Sequence, residues 1–454
     1  MPAIKLATRS VIKRARLPLL LVLASSSSPP TISAPDVRLT SPIPIESSGV
    51  PWSDATTITA EPGKQTRLNS YRPPEPYLHV DAAGAVHLFW HRRAGGGPVA
   101  SDDSGIQHSV LSKNGWVRQP PVSSANNVRL IRAGVGPEGM TQIVWCEEQG
   151  VHPDYHPRRL YIQLLTDYGW SQAERVSDPK AVPSCIFRDD VDAAADRLGA
   201  QHVVWTDWRE KRFWANLFSG EGDVPKTFHR VKSGASWDPV ERVQPRGNVP
   251  ANSAGLSVSA VRPPILTWFE KRNALVVSQY EESRWSKPFR LEINRNEDTY
   301  PGEIISMDSV EGAGGSVQVA WIEEREGERS NQRELLRYIT FSDGQWSHLR
   351  LLSEQASDLR WGSGTNGAEV LGVQEDTSSS SRMAHLPTRD LSVITFINGE
   401  PRGRQLIAHD VIEGLFDIAV DHDGGYHAVY VTIDATDEIV LLHRTRPGVD
   451  SVSR

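Results

Sequence analysis

An apolar strand ending in an aromatic residue recurs along this chain, and that repeat limits the fold more than any other feature. The copies are His87-Leu88-Phe89-Trp90, Gln142-Ile143-Val144-Trp145, His202-Val203-Val204-Trp205, Ile265-Leu266-Thr267-Trp268, Gln318-Val319-Ala320-Trp321 and His427-Ala428-Val429-Tyr430. Glu369-Val370-Leu371-Gly372 fits the remaining gap as a degenerate copy. With Gly372 in the Trp position the spacings are 55, 60, 63, 53, 51 and 58 residues. Seven copies at that period suit blades of four short strands repeated around an axis.

A second motif follows each strand pair: Asn114-Gly115-Trp116, Tyr168-Gly169-Trp170-Ser171, Ser236-Trp237-Asp238-Pro239, Arg284-Trp285-Ser286-Lys287-Pro288 and Gly344-Gln345-Trp346-Ser347. It reads as a polar turn between outer strands, then a Trp whose ring covers the sheet edge. These repeats account for 14 Trp against 10 Tyr and 10 Phe, and both Trp sets read as packing. The last unit, around Tyr430, ends at Arg446 without such a turn, yet a spare copy stands near the N-terminus as Pro51-Trp52-Ser53-Asp54. The expectation is an all-β, seven-bladed propeller, its ring closed by the Trp52 strand joining the C-terminal blade so that no long sheet edge is exposed. Six blades is the alternative if the Gly372 copy is an insertion. Blades would begin near Tyr71, Val128, Ser184, Ala254, Tyr300, Asp358 and Gly414, within one domain spanning 36–448 and followed by a tail at 449–454.

Residues 1–35 contain no acid; Lys5, Arg9, Lys13, Arg14 and Arg16 precede the apolar run from Leu17 to Ala24, with serines and prolines beyond. This order reads as a secretory signal, an organellar transit peptide being the rival, so the expected location is periplasmic or extracellular. The apolar run is too short to span a bilayer. A net charge of -7 argues against a nucleic-acid partner. No integral membrane association is expected, and the chain reads as a monomer.

The two motifs together resemble the sialidase-like, Asp-box (BNR-repeat) propellers. Ser342-Asp343-Gly344-Gln345-Trp346 and Thr166-Asp167-Tyr168-Gly169-Trp170 are shortened relatives of that family's box. The resemblance runs over roughly residues 50 to 448 and implies a propeller that either cleaves or binds glycans.

Strand topology places the candidate site. In an antiparallel blade the residues just after each repeat Trp share a rim with the start of the innermost strand. Two positions beyond the Trp slot stand Arg92, Glu147, Asp207, Glu270, Glu323 and Gln374; the innermost strands begin with Arg72, Arg129, Arg188 with Asp189, Tyr300 with Glu303, Arg360, and Asp417. Arginine forks suit an anionic sugar, and paired acids could cleave a glycosidic bond. If the chain is catalytic, Arg188, Asp189, Tyr300 and Glu303 are the candidates. Arg72, Arg129, Arg360, Asp417, Glu147 and Asp207 are the binding candidates, with a glycan, an anionic sugar or a protein as partner. The family's Phe/Tyr-Arg-Ile-Pro signature is missing; Tyr71-Arg72-Pro73-Pro74 only echoes it. That favours a non-catalytic module over a sialidase-like hydrolase or a polysaccharide lyase.

His152 and His156 flank an acid in a Pro-rich loop, which reads as surface, because nothing local completes a metal site. No metal and no cofactor are expected. Cys146 and Cys185 fall on one rim, either as a disulfide or as two buried thiols. Asp421-His422-Asp423-Gly424-Gly425 reads as a hairpin turn.

Overall fold

The computed structural model describes residues 51–58, 75–92, 105–125, 128–148, 158–178, 181–207 (without 182, 184, 186–189 and 197), 226–243, 254–257, 264–270, 274–293, 304–325 (without 313–314), 333–364, 368–376, 387–434 and 439–447. It is all-β: apart from a short 3-10 turn at Pro137–Gly139, every regular element among the described residues is a strand. No helix among them is long and apolar enough to cross a membrane.

The strands gather into six sheets, each a run of antiparallel neighbours. Five hold one repeat each, and they are named here by their repeat residue. The Trp90 sheet contains Pro76–Val80, Val86–Arg92, Gly105–Ser112 and Gly115–Ser123 in order. The Trp145, Trp205, Trp268 and Trp321 sheets follow the same plan. The sixth sheet has seven strands and holds two repeats, because one long strand, Glu400–Val420, serves both. From Glu400 to Ile412 it pairs with Thr388–Ile397; from Val411 to Val420 it pairs with Tyr426–Ile433, so the two pairings overlap at Val411. Asp410 turns the chain at that crossover with a φ of 55°.

Innermost strands touch in chain order. Pro76–Val80 meets Val128–Val135, which meets Val191–Ala195, then Ala254–Ser257, Ile304–Glu311, Ala356–Ser363 and Glu400–Val420, and the last of these contacts Pro76–Val80 again. Buried apolar residues fill the seams between neighbours. Trp145, Trp205, Trp268 and Trp321 are almost fully buried there, each facing the preceding unit; Trp205, for example, packs with Val144, Leu160 and Ile162.

The Trp of the second motif works with the Ser beside it. Ser171, Ser286 and Ser347 accept the backbone N–H of Leu164, Gln279 and Thr340 at 3.1, 3.0 and 2.9 Å. Each also donates its own N–H to the carbonyl of the same residue. Ser53 does the same to Thr445 from the other end of the chain: its Oγ accepts the Thr445 N–H at 2.9 Å and its N–H reaches the Thr445 carbonyl at 2.8 Å. Thr56 and Thr57 continue the pairing with His443 and Leu442. The spare N-terminal copy therefore pairs with Ile439–Arg446, the outer strand of the Tyr430 unit.

Gly372 departs from expectation. Its strand, Glu369–Glu375, is present and paired on both sides, but Gly372 does not take the facing of the repeat Trp. Leu371 and Val373 point back toward Ala320 and Ile322 of the preceding unit. Gly372 faces the other way, and a Cβ there would stand 2.8 Å from the Phe416 ring. The repeat is shifted by one residue, which in a strand exchanges the two faces.

Candidate functional site

At the rim where the innermost strands begin, Arg360 is the best-defined candidate. Asp358, two residues earlier on the same strand, grips it as a fork, with Nη1 to Oδ1 at 2.7 Å and Nη2 to Oδ2 at 3.1 Å. Both are buried, and the guanidinium lies 5.7 Å from the centre of the Phe416 ring. Paired, planar and desolvated, this is the strong form of an arginine–carboxylate contact. Asp417 is also buried, and its Oδ2 accepts the Leu78 N–H at 2.7 Å, linking the Tyr430 unit to the Trp90 unit. Asp207 is 1% exposed and accepts the indole N–H of Trp205 at 3.1 Å. Glu147 is half-buried and stands opposite Arg159 in the ladder.

The other rim positions also serve neighbouring units. Gln374 donates to the Ile412 carbonyl at 3.1 Å and accepts the Gly414 N–H at 2.7 Å, fixing the entry of the next innermost strand. Glu323 pairs with Arg337 at 2.9 Å. Arg72, Arg188, Asp189, Tyr300, Glu303, His152 and His156 lie outside the described residues, as do the side chains of Arg92, Arg129 and Glu270. Cys146 and Cys185 form a disulfide across 39 residues, tying the Trp145 strand to the approach to the Trp205 unit.

Deeper in, Arg132 and Asp308 occupy matching register positions on two innermost strands, opposite the residue before each repeat Trp. Asp308 accepts the N–H groups of Trp361 at 3.0 Å and Ser309 at 2.9 Å. Burial pushes its carboxyl up; Arg132 and Arg360 oppose that. Arg132 donates to the Val191 carbonyl at 3.2 Å and covers the Tyr77 ring. On the rim itself Arg389 reaches Asp376 at 3.2 Å and Glu413 at 3.8 Å. Burial raises the carboxyl of Glu334, with repulsion from Glu413 adding to it, and burial raises that of Glu413, with Arg389 opposing and Asp358 and Asp376 adding, the combination that equips a carboxyl to hold a proton.

At three seams a polar relay appears that strand reading alone does not reveal. Asp81 Oδ2 meets His87 Nε2 at 3.1 Å, and His87 Nδ1 meets His108 Nε2 at 3.0 Å. Trp170 of the next unit stands edge-on against His108 at 5.4 Å. The same chain runs Asp196, His202, His229 and Trp285, and again Asp421, His427, His443 and Trp116. The carboxylate sits in a tight hairpin turn closed by a glycine at positive φ: Gly84, Gly199 and Gly424, at 85°, 80° and 77°. The turn Asp accepts the backbone N–H groups of its own loop. The visible signal is Asp-x-x-Gly-x-x-His, which occurs at 81, 196 and 421.

Between the Gly372 and Tyr430 units the seam is different. A cleft of about 390 Å³ opens there, lined by Ala55, Leu406, Ile407, Ala408 and Leu442 together with His409, Tyr430, Thr432 and Arg444. Arg444 Nη1 donates to the Ile407 carbonyl at 2.6 Å and a second contact reaches the Tyr430 hydroxyl. Its Nε is buried without a partner among the described residues. Burial pushes the Tyr430 phenol up, with Arg444 opposing, so the hydroxyl keeps its proton.

No family model matches the sequence, and no curated protein matches it. Solved structures do. A protein of unknown function from Dyadobacter fermentans is 10% identical, with a TM-score of 0.46 over 88% of this chain and 99% of that one. The leech intramolecular trans-sialidase is 11% identical, with a TM-score of 0.43 over 82% of each chain. The intramolecular trans-sialidase of Ruminococcus gnavus is 12% identical, with a TM-score of 0.39 over 86% of this chain and 97% of that one. These likenesses concern the fold and leave the chemistry of this chain to its own residues.

Proposed function

We propose that the repeated units are seven blades of one propeller whose ring closes through the N-terminal strand, that the protein is exported, and that it acts as a non-catalytic module binding a glycan or a protein at the mouth. The cyclic order of the innermost strands and the Ser53–Thr445 clasp support the seven-blade count. The observation that carries the functional reading is the Arg360–Asp358 fork. An arginine that recognises an anionic sugar must offer its fork to the ligand; here the chain's own carboxylate fills it. Asp417 and Gln374 likewise hold neighbouring strands together.

A glycan-active enzyme is the second reading, and the raised carboxyls of Glu334 and Glu413 on the same rim favour it. One screen separates the two: purified protein against fluorogenic sialosides and uronic-acid polysaccharides, with Arg188→Ala and Glu413→Gln beside it, and the same samples on a glycan array. The binding reading expects array signal without turnover. Turnover that either substitution abolishes would replace it with the enzyme.

A further inference from the structure

The seam between the Gly372 and Tyr430 units is the one place where the repeat Trp is replaced by a residue with a polar tip, and there a cleft forms rather than a packed interface. Four observations converge on it. First, the volume of about 390 Å³ falls within the range of small-molecule sites, roughly 300–1,000 Å³. Second, much of the lining is apolar, Leu406, Ile407, Ala408, Leu442 and Ala55, with His409, held by Asp390 at 3.0 Å, also in it. Third, the lining includes a half-buried guanidinium, Arg444. Its hydrogen bonds go to neutral oxygens, the Ile407 carbonyl and the Tyr430 hydroxyl, and no described carboxylate pairs with it. Fourth, Arg444 Nε is buried and unpartnered, a condition that costs stability unless something else satisfies the group.

Arg360 also has an unpartnered Nε, so the contrast with it lies in the counter-ion. Arg360 is more deeply buried, and the chain supplies Asp358 to neutralise it. Arg404, also buried, is matched by Glu375. Arg444 has a positive charge in a partly desolvated cleft with no such counter-ion among the described residues. Tyr430 adds an O–H donor beside it. Thr432 donates its own proton to the Asp410 carbonyl at 2.7 Å, which leaves its oxygen facing the cleft as an acceptor.

We infer that this cleft is a binding site for a small organic monocarboxylate with a ring-sized, largely apolar body, its carboxylate on Arg444 and the Tyr430 hydroxyl and its body against Leu406 and Leu442. One guanidinium matches one negative charge; a phosphate dianion would leave excess charge beside apolar walls. The site is distinct from the mouth and does not depend on the function proposed above.

Benzoate is a direct probe, with benzamide as its neutral isostere and inorganic phosphate as the dianion, measured by calorimetric titration and by ligand-observed NMR on the whole protein. The expected result is saturable benzoate binding at one site, weakened about tenfold or more in Arg444→Gln, as loss of a charge-assisted contact implies. Because Arg444→Gln alters a seam, Ala55→Trp serves as the second variant: Ala55 is exposed, so an indole there fills the cleft entrance without touching the core. It should abolish binding while leaving the melting temperature unchanged. Equal binding of benzamide and benzoate, preference for phosphate, benzoate binding intact in Ala55→Trp, or no saturable benzoate binding would each overturn the assignment.

Discussion

Two seams of this molecule solve the same problem in opposite ways. Between the Trp90 and Trp145 units, polar side chains are joined in series from Asp81 through His87 to His108, and Trp170 covers the end. Between the Gly372 and Tyr430 units, Arg444 and Tyr430 meet a cleft and no counter-ion among the described residues closes the set. In the first, every link is a fixed neighbour, and the two imidazoles stack at 5.2 Å. In the second, a tyrosine stands in the repeat position and the described side chains leave a cleft beside it. The difference separates polar groups that join one unit to the next from polar groups positioned for something outside the chain.

Acid is the strongest way to break the relay seams selectively. Burial, with the neighbouring imidazole, lowers His108 and His443 to about 3 and His202 to about 4. These folded values lie below the ordinary 6.5, so the unfolded chain takes up protons first. Stability is whole above pH 6.5 and is lost as pH falls toward 4 and then 3. Each group contributes up to about 1.4 kcal/mol per pH unit, so the three together reach up to about 4 kcal/mol per unit. Chemical denaturation between pH 7 and 4 should show this slope, and a His108→Gln/His202→Gln/His443→Gln variant should flatten it. An unchanged slope in that variant would mean the relays do not govern acid stability.

Removing one relay member has the next largest effect. His108→Ala leaves the His87 nitrogen buried without a partner and removes the ring that Trp170 covers, a loss of about 1–3 kcal/mol. Urea unfolding measures it, and the same loss is expected from His443→Ala beneath Trp116. A smaller change is expected at the cleft: Tyr430→Phe removes a hydroxyl whose bond is to Arg444 alone, so stability should move by less than about 1 kcal/mol. A larger loss would place Tyr430 with the relays.

Much of the fold is legible in the residue order because the repeat Trp and the Trp of the second motif mark different strands of the same unit. Trp52-Ser53 could be recognised at the N-terminus for the same reason, since its Ser makes the same backbone clasp as Ser171. Gly372 was misplaced by one residue because every residue from Glu369 to Glu375 is buried. A strand buried on both faces has no alternation to set its frame. The first half of each relay is written as Asp-x-x-Gly-x-x-His. The second His lies 21, 27 or 16 residues further on, across loops of unequal length, so spacing does not reveal it. Asp358 could have been read as the partner of Arg360 from their separation of two along a strand. The Arg444 cleft could not, because it depends on Glu400–Val420 passing from one repeat unit to the next within one sheet.

Paired unfolding curves of His108→Gln and Arg444→Gln, each with and without saturating benzoate, test the contrast between the seams most directly. The relay variant should lose about 1–3 kcal/mol and keep the full benzoate stabilisation. The cleft variant should keep most of its stability and lose the benzoate gain. The opposite pattern, with Arg444→Gln collapsing the fold or still stabilised by benzoate, would show that both seams are structural.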